Sequence, residues 1–200
     1  MDLISWPKMR SLALSGGSIL FFGEAMARLA AYLMGQLSMQ GKSITLVDAA
    51  QSFDPYLVAR MGRLSGTPPR TLLERIRLSR AFTCHQLVTL LCETLPGQKT
   101  KGPLFVLGPG ALFYDEQVSL KERQTLFRQL VRALMVLKGR GQGCYLFQSP
   151  ITRKLKNQHF GRELSRSVQW VIRVGLGVDG IEGKLLKAGF DGERIQEGRG

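Results

Sequence analysis

Two short apolar runs flank one amphipathic helix between residues 104 and 148, and this unit restricts the chain more than any other stretch. Leu104-Phe105-Val106-Leu107 carries no polar residue, as a strand covered on both faces requires; Cys144-Tyr145-Leu146-Phe147 repeats the pattern and ends in Gln148. Between them Phe127, Leu130, Val131, Leu134 and Leu137 recur at the helical period. Lys121, Arg128 and Arg132 recur beside that stripe as a solvated helix face. Strand, helix and strand in this order predict parallel pairing.

The same alternation runs through the rest of the chain. Ser18 to Phe22 reads as a strand that passes through Gly23 into a helix from Glu24 to about Met39, built on Met26, Leu29, Ala30, Leu33 and Leu37. Ser43 to Asp48 is the next strand, followed by a helix over Pro55–Leu64 and a short one at Thr71–Glu74. Ile76 to Ala81 alternates as a half-buried strand does, and Phe82–Leu95 reads as a helix. Gly97–Gly102 is a polar loop, Val168–Val174 a strand, and a hairpin and tail close the chain over 175–200. The expected architecture is α/β: a mostly parallel sheet, helices on both faces, and an antiparallel C-terminal edge.

Composition sets the outer bounds. The 200 residues are 44% apolar, which suits one domain over 1–200 with a short N-terminal segment at 1–15. No apolar run reaches the ~18 residues a membrane span needs, and the N-terminus has no secretory pattern. Cys84, Cys92 and Cys144 match neither a metal-ligand spacing nor a disulfide framework, so the reading is a cytoplasmic protein without metal or cofactor. The net charge of +13 favours a polyanionic partner; 11 cations face 6 acids in the first hundred residues, 17 face 9 in the second.

In the order of its motifs the chain resembles the ATPase core of the RecA/RadA recombinase superfamily. Leu46-Val47-Asp48-Ala49-Ala50-Gln51-Ser52-Phe53 is similar to the family's strand ending in Asp-Thr-Glu-Gly-Thr-Phe. Arg75 to Leu91, containing Ser79-Arg80-Ala81-Phe82, resembles the segment with Ala-Arg-Ala-Phe and its following helix. Leu104 to Gln148 resembles the block that ends in a Gln at the opening of the second DNA-binding loop. Together the likeness spans residue 16 to about residue 190, and it implies a RecA-like fold.

Mapped onto that likeness, the nucleotide site is degenerate at Gly23, Glu24, Arg28, Asp48, Ala50, Gly108 and Gln148. The family cradles phosphate with G-x-x-x-x-G-K-[ST], whereas Gly23-Glu24-Ala25-Met26-Ala27-Arg28 is shorter, lacks Lys and Ser/Thr, and sets an acid where phosphate would lie. Ala50 stands at the water-activating Glu, and Gly108 at the Asp that holds Mg²⁺. Asp48 reads as a cap or hydrogen-bond acceptor, and His85 and His159 are too isolated for acid–base work. No ATPase activity is expected.

The remaining signal is a basic loop at 151–166. It carries Arg153, Lys154, Lys156, Arg162 and Arg166 against Glu163 alone, and it holds Phe160. Cations for phosphates and an aromatic ring for stacking suit DNA, single-stranded rather than double-stranded. The resulting expectation is a non-catalytic accessory of recombination or DNA repair that binds DNA, a recombinase or repair protein, or both. The alternative is an inhibitor or scaffold on the same degenerate fold that works by protein contact without DNA.

Overall fold

Successive side chains of a strand point to opposite faces, so a wholly apolar run feeds two cores at once. The computed structural model describes residues 3–4, 11, 17–98, 102–150, 160–177 and 180–187, and its sheet is built this way. Ile19, Phe21, Leu46, Phe105 and Phe147 lie in one core, and Leu20, Val47, Val106 and Leu146 in the other. In the first core Phe147 stacks between Phe21 and Phe105, with ring centroids 5.1 and 5.4 Å away.

The strands are β1 (Leu3–Ile4), β2 (Ser18–Gly23), β3 (Ile44–Asp48), β4 (Ile76–Arg80), β5 (Leu104–Leu107), β6 (Cys144–Gln148), β7 (Trp170–Gly177) and β8 (Gly180–Lys187). The helices are α1 (Met26–Met39), α2 (Pro55–Leu64), α3 (Pro69–Leu73), α4 (Cys84–Thr89, continued by a π turn over Leu90–Thr94), α5 (Leu120–Gly139) and α6 (Phe160–Ser167). The sheet order is β1-β8-β7-β2-β6-β5-β3-β4. Strands β4, β3, β5, β6, β2 and β7 run parallel, while β8 is antiparallel to β7 and β1 to β8. The mostly parallel sheet with an antiparallel edge is therefore present as the sequence predicts.

Buried residues of α1, α2 and α3 belong to the first core, and those of α4, α5 and α6 to the second. Chain direction along the sheet reverses between the two layers, as right-handed crossovers demand. Onward connections consequently leave β2 and β6 in opposite directions, and likewise β3 and β5. Crevices at the carboxyl ends of such neighbours are where folds of this class place their sites.

Local chemistry explains the helix starts. Asp54 accepts from Tyr56 N at 2.8 Å with Pro55 in the first turn, and Thr83 accepts from Gln86 N at 3.2 Å. Ser119 accepts from Glu122 N at 3.3 Å, which starts α5. Several helix boundaries shift by two residues, and the C-terminal part differs more from the sequence reading. Residues 160–167 form α6 rather than the end of a loop, and the hairpin begins at Trp170, inside the predicted strand. Leu3–Ile4, within the predicted N-terminal segment, adds a strand to β8.

Burial drives the thiol of Cys144 and the phenol of Tyr145 each up to about 12. In the unfolded chain they ionise nearer pH 9 to 10, so between about pH 9 and about pH 12 only the unfolded state sheds these protons. Stability is therefore complete below about pH 9 and falls as pH rises through that window. Thermal melts at about pH 8 and about pH 10.5 should show the drop, and Tyr145→Phe should reduce it.

Candidate functional site

The carboxyl ends of β2, β3, β5 and β6 hold the residues singled out by sequence, and each is closed in a different way. Asp48 ends β3 with 0% exposure. Its Oδ1 accepts from Ser52 N at 3.1 Å and its Oδ2 from Phe53 N at 3.0 Å, while Arg80 Nε lies 3.7 Å from Oδ2. Gln51, at φ 54°, donates from Nε2 to Ala81 O at 2.8 Å, pinning the same turn to the end of β4. The carboxylate is thus an organiser of its own loop.

Ala50 and Gly108 face each other across this end of the sheet. Gly108 follows β5 at φ +66°, and a β-carbon built on it would lie 2.7 Å from that of Ala50 and 3.2 Å from that of Ala111. The exposed Ala50 methyl therefore occupies the space an acid at 108 would need. Gln148, 7% exposed, closes the end of β6: its Oε1 accepts from Gly110 N at 2.8 Å and its Nε2 donates to Ser149 O at 2.9 Å. Asp48, Ala50, Gly108 and Gln148 are thereby brought together as a closed, internally bonded edge.

Glu24 and Arg28 stand apart from that cluster. Between the end of β2 and the start of α1 lie two residues, Glu24 and Ala25, and Ala25 is left-handed at φ 56° with no side-chain cap. Gly23, at φ +147°, runs so close to β7 that a β-carbon there would overlap the Val174 carbonyl oxygen. A two-residue turn cannot wrap a phosphate with successive N–H groups as the longer glycine loop does. Glu24 is exposed, and Arg28 lines a groove between α1 and α2 that includes none of Asp48, Ala50, Gly108 and Gln148.

The basic stretch divides in two. Arg153, Lys154 and Lys156 lie outside the described residues. Arg162 and Arg166 are exposed, one helical turn apart on α6. Phe160 corrects the sequence reading: it is 3% exposed, with its ring 4.6 Å from Phe127, 5.6 Å from Tyr114 and 5.9 Å from Phe113. A ring held in the core anchors α6 against α5 and is not available to stack on a base. Below it, Leu20, Phe22, Tyr114, Gln148, Ser149 and Val171 help to line an apolar cleft of about 380 Å³.

Two side chains escaped the sequence reading, and a third, His85, gained a partner. Lys187, at the end of β8, donates to the carbonyls of Ser165 (2.9 Å), Arg166 (3.4 Å) and Val168 (2.6 Å), capping α6 where its dipole is negative. Arg123 is 6% exposed and donates from Nη1 to Phe113 O at 3.1 Å, while its Nε has no partner among the described residues. Its place four residues before Phe127, on the buried stripe, was the available signal. His85 Nε2 meets Glu122 Oε1 at 2.9 Å, joining α4 to α5 on an exposed surface. The adjacent Cys84 is buried, which raises its thiol pKa and argues against a nucleophile.

Among the described residues no cluster of His, Cys, Asp and Glu has a metal-binding arrangement, and no helix is long and apolar enough to cross a membrane. No family model matches the chain, and no curated protein matches it significantly.

Proposed function

We propose that this chain is a non-catalytic, RecA-like accessory of recombination or DNA repair, binding DNA through the solvent side of α6 and the basic segment before it, with or without a recombinase-type partner. The observation that carries the first half is the closed carboxyl edge of the sheet. Ala50 fills the space beside Gly108, Asp48 is bonded to its own loop, Gln148 accepts from Gly110 in the loop after β5, and the turn after β2 has two residues. Each of these is a separate obstacle to holding a nucleotide's phosphates and metal.

Charge supports the second half. Arg162 and Arg166 project from α6, whose buried face is clamped by Phe160 and Leu164, and Arg153, Lys154 and Lys156 precede it in sequence. A helix carrying two exposed cations, with three more before it in sequence, suits contact with a phosphate backbone. Fluorescence anisotropy with a labelled single-stranded oligonucleotide across a salt series tests this. Arg162→Ala with Arg166→Ala should flatten the salt slope by about two units, and alanines at 153, 154 and 156 by up to about three. Parental binding and slope in both variants would remove DNA from the reading. The protein-contact alternative has its own support in exposed apolar side chains on α2: Tyr56 is 78% exposed and Leu64 79%.

A further inference from the structure

Helix α2 turns toward α1 a face that the described residues cover only in part. Leu57, Arg60, Met61 and Leu64 share that face at helical spacing, and with Arg28 and Tyr32 of α1 and Ile181 of β8 they line a groove of about 460 Å³. Its depth comes from a close approach of the two helices. Met61 packs against Gly35, where a β-carbon would fall 2.6 Å from its sulfur. Along the groove Leu57, Met61 and Ile181 are half-buried, but Leu64 is 79% exposed. A leucine left 79% exposed at the mouth of an apolar groove marks a contact surface that the described residues do not cover.

Two exposed guanidinium groups flank this apolar floor. Neither Arg28 nor Arg60 has an acidic side chain within salt-bridge distance among the described residues, in a chain of net charge +13. We infer that the groove receives an acidic amphipathic segment of a partner protein, its apolar residues on Leu57, Met61 and Leu64 and its carboxylates on Arg28 and Arg60. A helical segment with anchors at i, i+3 or i+4 and i+7 matches a helix-lined groove of this kind, and Met61 gives the floor adaptability. Nucleic acid fits less well, because a phosphate chain needs a continuous run of cations and this floor is mainly aliphatic. A second copy fits less well too, since two bodies of charge +13 repel and would bring further cations to Arg28 and Arg60.

This surface belongs to the layer opposite α6, so it stands or falls independently of DNA binding there. The experiment pans a random displayed-peptide library against the full chain, then measures a synthetic copy of the enriched consensus by anisotropy. The expected consensus alternates acidic and large apolar residues at helical spacing. Its affinity should fall at least about tenfold against Arg28→Glu with Arg60→Glu, and a copy with Lys for Glu should recover binding to that double variant. Leu64→Ser, which leaves the charges in place, should weaken the original peptide several-fold. All three positions are exposed, so the variants are expected to fold; circular dichroism checks this. An enriched consensus without acids, or one that binds parent and double variant alike, overturns the inference. So does a labelled oligonucleotide whose affinity falls in the Arg28/Arg60 variant while remaining unchanged in the Arg162/Arg166 variant.

Discussion

Replacing Asp48 by alanine is expected to lower folding stability by about 3 kcal/mol, because it strips two backbone donors of their acceptor at once. Ser52 N and Phe53 N both rely on this carboxylate, and the residue is fully buried. Arg80 adds little to the figure, since its side chain is 44% exposed and its 3.7 Å pairing is screened by water. Asp48→Asn keeps one carboxamide oxygen as acceptor and should lose roughly half as much. Urea unfolding of the two variants measures the difference. A loss below about 1 kcal/mol for alanine would mean the loop holds its shape without the carboxylate.

The second large effect is expected from Gly108→Asp, which sets an acid at the end of β5. The new β-carbon would press on Ala50 at 2.7 Å and on Ala111 at 3.2 Å, and the φ of +66° adds left-handed strain. Aspartate tolerates that conformation better than most residues, so the crowding dominates and the combined loss should be about 2–3 kcal/mol. Ala50→Gly in the same chain should return part of it by clearing the nearer methyl. Neither variant should turn over ATP, because the two-residue turn at Glu24–Ala25 still lacks a phosphate cradle. Appreciable turnover by Gly108→Asp would contradict the non-catalytic reading directly.

The parallel strands were readable because a buried strand leaves a plain mark: Leu104–Leu107 and Cys144–Phe147 contain no side chain that prefers water. The antiparallel edge was readable from the hairpin expected after Val174, although the hairpin itself starts earlier, at Trp170. Helix α6 was misread because composition outweighed period. Phe160 and Leu164 sit one turn apart on its buried face, but cations surround them and Gly161 interrupts the first turn. The interplay of Ala50 with Gly108 was hidden for a different reason. Sequence shows two small residues at 50 and 108, but only the fold shows that the two positions meet. Exposure of Leu64 was equally hidden, since its spacing from Leu57 and Met61 is that of a residue in a core.

The contact of Lys187 with the end of α6 bears on how the last strand finds its place. Pairing along β7 and β8 contains an irregularity at Val171/Ile172, after which Lys187 stands opposite Val171. A hairpin with glycines at 175, 177, 180 and 183 has little side-chain bulk to oppose slippage. Sliding by two residues would keep the same faces inward yet carry the ammonium group away from three carbonyls at the helix terminus. A helix formed from residues 160–167 thus selects one alignment of a strand that follows it in the chain. The surface bearing Arg162 and Arg166 is in this way fastened through Lys187 to the antiparallel margin of the sheet.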